Sequence, residues 1–315
     1  MAEILARIGT VQAFPSPREF VFKPWSVFKQ RYDYVFLNWI ESLVFNGPNG
    51  EISFSRALLL GLYLFAIRLA NKKLVWIRHN NYPHHIKTDK NKMVAKKFLD
   101  HLESAVDIVI THSPLEARDR KRFYVPHPLY QTELSAINPV PFKNYFFIFG
   151  HIAPYKKLAE AINLLPDEAN LVVAGPIKDT AYFEKCQRLA ADKQNVLLMP
   201  GFLDSPTAAR IATDSRGLLV LNADTDMVVS GSYIYALSLG IPLYAVNTPF
   251  IEWLSNGEHL AGIRAFENIT ALFCSLDPNK FSSLRPDPQT IESLFGDETT
   301  LKRLNHALAF SKATI

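Results

Sequence analysis

Four clusters in this 315-residue chain carry residue types and spacings that can do chemistry. The first is Phe149-Gly150-His151-Ile152-Ala153-Pro154-Tyr155-Lys156-Lys157, a strand ending in glycine, a short loop, and two lysines where a helix should open. An ammonium group beside a helix N-terminus can meet a phosphate, because the free N–H groups of the first turn also favour an anion. Two solvated lysines at a helix start carry the same pattern. The second cluster, Ser230-Gly231-Ser232, precedes the apolar run Tyr233 to Leu237 and ends in Leu239-Gly240-Ile241-Pro242. It can cap the helix or seat a phosphate, and small residues let a ligand approach the backbone. The third is Arg78-His79-Asn80-Asn81-Tyr82-Pro83-His84-His85. A neutral imidazole accepts a hydroxyl proton near pH 7, so His79, His84 and His85 are candidate bases, with His84 first. Hydrogen bonding within the turn is the alternative role, and the spacing fits no common zinc site. The fourth is Leu218-Leu219-Val220-Leu221-Asn222 followed by Asp224-Thr225-Asp226. An apolar strand leading into Asp-x-Asp can hold a divalent ion on a diphosphate.

These clusters need rigid elements to position them. Short apolar runs alternate with longer amphipathic segments, the rhythm of parallel βα units. Strands are expected over 34–37, 74–77, 107–111, 145–149, 170–174, 195–198, 217–221 and 242–245. Helices are expected over 54–70, 93–104, 157–165, 181–191, 206–213 and 232–239. Prolines 126, 128, 139 and 141 mark 126–141 as an interdomain linker. The chain is longer than one core usually fills. The expected fold is therefore α/β, two Rossmann-like domains facing a cleft, with an acceptor domain over 1–140 and a donor domain over 141–315.

Charge is uneven between the halves. Residues 1–140 hold 19 Lys and Arg against 12 Asp and Glu, and the remainder hold 15 against 18. The basic clusters Lys87 to Lys97 and Arg118 to Arg122 suit an anionic membrane surface or a phosphate-bearing acceptor, as well as a plain solvated face. No RNP-like, KH-like or zinc-finger pattern accompanies them, so no nucleic-acid partner is expected. Cys186 and Cys274 form no CxxC pair, which points to a reducing compartment. The apolar run 57–67 is about half the ~20 residues of a spanning helix, and the N-terminus lacks signal-peptide character. A cytoplasmic protein is expected, peripheral on the inner face of the membrane where its acceptor requires it.

Taken in order, the blocks from Phe146 to Gly257 resemble the donor-binding domain of GT-B glycosyltransferases, in the large group 1-like family of capsule and exopolysaccharide enzymes. Gly150 to Lys157 is similar to that family's Gly-Arg-Leu…Lys-Gly turn. Leu171-Val172-Val173-Ala174-Gly175 is similar to its central strand, Asn195 to Gly201 to its Asn-Val…Gly-Phe segment, and Ser230 to Pro242 to its phosphate-binding helix. The resemblance implies a hexosyltransferase-like enzyme of polysaccharide biosynthesis that needs no metal and no cofactor, the nucleotide-sugar donor being a substrate. The acceptor would be a saccharide or lipid-linked sugar. Gly150, His151, Lys156, Gly175, Ser230, Gly231 and Ser232 would hold the donor, with Asp224 or Asp226 taking over part of the sugar contact. The retaining branch carries two glutamates eight apart where this chain has Met227 and Tyr235, so an inverting reaction is expected. The turn 79–85 is similar to the family's His-Asn…Pro-His turn. Two other readings stay open: a metal-dependent GT-A enzyme using Asp224 and Asp226, and a non-catalytic partner protein of glycosyltransferase fold.

Overall fold

The computed structural model describes all residues except 30–31, 48–49, 71–72, 84–85, 87, 119–120, 223–227, 259, 277–283 and 311–315. It divides into two compact units. One comprises Met1–His127, Thr225–Val229 and Asp297–Ile315; the other comprises Pro128–Asp224 and Ser230–Gly296.

The first unit is built on four parallel strands in the order β1 (Tyr34–Asn38), β2 (Lys73–Arg78), β3 (Ile108–Thr111) and β4 (Arg122–Tyr124). Buried Val, Ile and Trp side chains fill both faces of β2 and β3, as parallel strands require. Helix α1 (Phe54–Ala70) covers one face through Leu60, Tyr63, Leu64 and Ile67. Helix α2 (Asp89–Ala105), capped by Thr88, adds Ala95, Leu99 and Leu102 to the same core.

The last helix of the chain, α7 (Asp297–Phe310), packs Leu304, Ala307 and Leu308 with Val75, Ile77 and Ile110 on the other face. The expectation that 141–315 forms one domain is corrected here. Its apolar stripe completes the core of the first unit, and periodicity alone does not say which core a stripe fills.

The second unit holds six parallel strands: β5 (Phe146–Phe149), β6 (Leu171–Gly175), β7 (Val196–Pro200), β8 (Gly217–Val220), β9 (Leu243–Val246) and β10 (Ile263–Phe266). They lie in the order β10-β9-β8-β5-β6-β7. This is the doubly wound order of a Rossmann sheet, and its switch point falls between β5 and β8. Helices α3 (Leu158–Leu164), α4 (Thr180–Ala190), α5 (Ser205–Asp214) and α6 (Gly231–Ser238) join successive strands. Asp179 and Asp204 cap α4 and α5 by accepting from the N–H of Tyr182 and Thr207.

The proline-rich stretch expected to link the domains is irregular but tied to the second unit. The Tyr130 N–H donates to Ser238 Oγ at 2.8 Å, the Ser135 N–H to the Pro206 carbonyl at 3.1 Å, and Asn138 Nδ2 to Asp214 Oδ2 at 3.0 Å.

Candidate functional site

At the switch point of the second unit, β5 ends in Phe149 and the chain turns at Gly150, whose φ is +123°. The following loop is fixed by backbone pairing. The Ile152 N–H donates to the Pro176 carbonyl at 2.9 Å, and the Lys178 N–H to the Ile152 carbonyl at 3.1 Å. Gly175, at φ +144°, lets the two loops meet, because a Cβ there would run into the Gly150 carbonyl. A single 3-10 turn, Pro154–Lys156, then leads into α3.

The two lysines have different places. Lys156 ends the 3-10 turn and folds back so that its Nζ would lie 3.5 Å from a Cβ on Gly150. Lys157 caps α3 in the left-handed conformation, φ 55° and ψ 35°, a region that costs an L side chain about 1 kcal/mol. It stands where the resembled family has glycine, which adopts that conformation without strain.

Lys156 Nζ donates to Ser232 Oγ at 3.1 Å. Burial pushes its ammonium down to about 8, because a charge loses hydration there. Ser232 lies in the first turn of α6, and buried Ser230 caps that helix by accepting from the Ser232 N–H at 3.3 Å. Gly231 sits between them, and a Cβ on it would come within 3.4 Å of Tyr130 Oη. The structure thus brings Gly150, Lys156, Gly175, Ser230, Gly231 and Ser232 together at the carboxyl ends of the central strands. A half-buried cation and the positive end of a helix converge there, which is the chemistry of an oxyanion site. His151 is exposed on the same loop.

Tyr235, at the matching position of the second family glutamate, is buried against Phe149 with ring centroids 5.2 Å apart and near Tyr130 at 6.1 Å. Its Oη has no hydrogen-bond partner among the described residues, and burial raises it to about 12. It offers a neutral phenol where a carboxylate would stand. Asp224, Asp226 and Met227 lie outside the described residues.

The first unit gathers a second cluster at the carboxyl ends of its strands. Trp39, His79 and His112 directly follow β1, β2 and β3. Trp39 and His79 stack with centroids 4.0 Å apart and planes 6° apart, and His112 lies 5.4 Å from His79 and 5.0 Å from His127. His79 Nε2 is 3.3 Å from Asn38 Oδ1, so Nε2–H is the donor and Nδ1 keeps the lone pair. Burial lowers His79 to about 4 and His112 to about 3, with nearby imidazoles adding to the effect.

Buried Arg78 anchors the turn after β2. It donates to the backbone carbonyls of Asn80 at 3.3 Å and Asn81 at 3.4 Å, and pairs with Glu103 of α2 at 3.1 Å. Glu103 also receives Arg122, which pairs in turn with Glu116 at 3.1 Å. His84 and His85 lie outside the described residues. Among the described residues, no group of three His, Cys, Asp or Glu is arranged to hold a metal ion.

Sequence reasoning missed Trp39, Tyr130 and the role of His112. Only the position of Trp39 and His112 directly after apolar strands, where open α/β sheets place ligands, could have singled them out.

No protein-family model matches the chain, and no curated protein matches it in sequence. Its fold is similar to solved glycosyltransferases. The pneumococcal O-GlcNAc transferase GtfA, solved with UDP and GlcNAc, superposes with a TM-score of 0.57 at 11% identity, over 80% of this chain and 55% of that one. Staphylococcus aureus TarM, solved with fondaparinux, α-GlcNAc-glycerol and UDP, gives 0.56 at 12% identity over 78% and 53%. Anabaena HepE, solved with UDP-glucose, gives 0.57 at 13% identity over 95% and 82%. The chain spans little more than half the length of the first two. With its two parallel α/β units, the chain has the GT-B fold of these glycosyltransferases rather than a GT-A fold.

Proposed function

We propose that this protein is a glycosyltransferase that moves a sugar from a nucleotide-sugar donor to a saccharide or lipid-linked acceptor in surface polysaccharide synthesis. One observation carries the reading: Lys156 and the Ser230-Gly231-Ser232 helix start meet at the switch point of a Rossmann sheet. That arrangement suits a diphosphate, whose charge would offset the hydration that burial takes from Lys156. The UDP and UDP-glucose held by proteins of like fold support a nucleotide-sugar ligand. Lys156 would hold the diphosphate directly, so no metal is required. A histidine of the turn 79–85 would take the acceptor proton in an inverting displacement.

The acceptor's lipid link has its own support. Helix α1 has a second apolar face: beyond its buried one, Phe54, Leu58, Leu62, Phe65 and Leu69 form an exposed stripe at helical spacing. The helix Pro17–Phe22 and the 3-10 turn Pro24–Phe28 pack on it and add exposed Val21, Phe22, Trp25 and Phe28, beside Arg18, Lys23 and Lys29. No described helix is long and apolar enough to cross a membrane. Aromatic and aliphatic side chains with a basic fringe suit a helix lying in the surface of an anionic bilayer. This moves the proposed membrane surface from the lysine clusters to α1.

Thermal-shift screening of UDP-, GDP-, dTDP- and CMP-sugars tests the donor reading, since a bound ligand stabilises the native state by mass action. At least one should raise Tm and be hydrolysed slowly without acceptor. No shift with any of them would favour the non-catalytic partner. Phosphatidylglycerol vesicles should sediment the protein at low salt, and Leu62→Asn with Phe65→Asn should release it. Equal sedimentation of the double variant would remove α1 from the membrane surface.

A further inference from the structure

Trp39 is the most exceptional residue at the edge of the first sheet. Its backbone is left-handed, φ 56° and ψ 19°, a conformation that is sterically unfavourable for a bulky L residue. The following turn holds it there, with Ser42 donating to the Trp39 carbonyl through its N–H at 3.2 Å and its Oγ at 2.8 Å. The strain does not serve burial, because Trp39 remains 53% exposed. Strained residues that fold packing does not explain collect at ligand sites.

His79 explains what the conformation achieves. It backs one face of the indole in a nearly parallel stack, and among the described residues it is the indole's only ring partner. The chain thereby holds a rigid aromatic plate at the carboxyl end of β1. Beside it stand the Asn38 amide and the His79 imidazole, groups that give and accept hydrogen bonds without carrying charge at neutral pH, while His112 is buried with its Nδ1 on the Val125 carbonyl at 2.9 Å. Arg78, which ends β2 beside His79, is committed to Glu103 and the turn carbonyls.

A neutral plate with hydrogen-bonding groups at its rim discriminates between ligand classes. It offers a phosphate no counter-charge. A pyranose presents a face of C–H groups, apolar and weakly positive, that matches the negative face of an indole, and a rim of hydroxyls that needs neutral partners. We propose that Trp39, backed by His79, is the platform on which one uncharged pyranose ring of the acceptor stacks. This rests on the glycosyltransferase reading and narrows it: the acceptor's recognised end is a neutral sugar, and any phosphate it carries lies elsewhere.

Two variants separate binding from folding. Trp39→Phe keeps an aromatic face; Trp39→Gly removes it and suits the left-handed backbone, so it should fold with a Tm no lower than wild type. Saturation-transfer NMR is run with methyl glycosides of glucose, galactose, mannose and N-acetylglucosamine, and with maltose, cellobiose and chitobiose. At least one sugar should bind wild type, bind Trp39→Phe within tenfold, and bind Trp39→Gly at least tenfold more weakly. Sugar binding unchanged in folded Trp39→Gly, no sugar binding to wild type, or displacement of the sugar from Trp39 by uridine would each overturn the platform. Donor uptake is measured on the same samples. Donor taken up normally while the sugars ignore Trp39 sinks the platform alone, whereas sugar binding that needs Trp39 without any donor uptake sinks the transferase reading and leaves the platform standing.

Discussion

Lys156 Nζ lies 3.1 Å from Ser232 Oγ, joining the turn after β5 to the first turn of α6, although 76 residues separate them in sequence. The contact places a poorly hydrated cation beside the positive end of a helix. Lys156→Ala should therefore weaken nucleotide-sugar binding tenfold to a hundredfold, since a charge-assisted contact contributes about 1.5 to 3 kcal/mol. Calorimetric titration checks it, and Ser232→Ala should cost less, because a hydroxyl carries no charge.

The pH dependence of donor binding follows from the same lysine. Its folded pKa of about 8 lies below the ordinary 10.5, so the free protein loses the charge as pH rises through 8. Donor affinity should fall about tenfold per pH unit above that point, with proton uptake on binding. The unliganded fold moves the other way: between about 8 and 10.5 the unfolded chain binds the extra proton, so this lysine's contribution to stability rises with pH. Lys156→Met should flatten both trends, and paired titrations from pH 7 to 9.5 read them.

The acid limb of the rate distinguishes the candidate bases. His79 is held at about 4 by burial, so it is neutral throughout the working range and, as the base, would give a rate that falls only below about pH 4. A base with the ordinary imidazole pKa would instead give a limb near 6.5. His84→Ala should lower turnover on the order of 10² to 10⁴ with donor binding intact. NMR of the first product should show an inverted anomeric centre; retention would exclude a histidine base and return attention to the missing glutamates.

Backbone conformation at the phosphate turn gives opposite stability effects at two neighbouring loops. Gly175→Ala drives a methyl group into the Gly150 carbonyl and should destabilise the second unit by more than about 2 kcal/mol. Lys157→Gly removes left-handed strain and should stabilise it by about 0.5 to 1 kcal/mol. Urea unfolding of the two variants measures both.

Local structure was legible where side-chain type dictates it. Helix α1 runs from Phe54 to Ala70 as its periodicity predicts, and the apolar runs locate eight strands to within a residue or two. Strand β4 escaped notice because three residues, Arg122–Tyr124, give no alternation, and β10 because Arg264 interrupts its apolar run. The Gly150 to Lys157 and Ser230 to Pro242 blocks were legible as ordered motifs, but the approach of Lys156 to Ser232 is a consequence of the strand order. Trp39 was invisible for a physical reason: its chemistry comes from a left-handed φ and a stacked neighbour forty residues on, and neither leaves a trace in hydrophobic pattern.

The most direct measurement is phosphorus NMR of wild type and Lys156→Ala with the nucleotide sugar that most raises Tm. Wild type should release nucleoside diphosphate slowly by hydrolysis, and faster once an acceptor sugar is supplied, while folded Lys156→Ala should release at least tenfold less at a subsaturating donor concentration. Equal release by both proteins would contradict the assignment of Lys156 to the diphosphate, and no release from any donor would contradict glycosyl transfer itself.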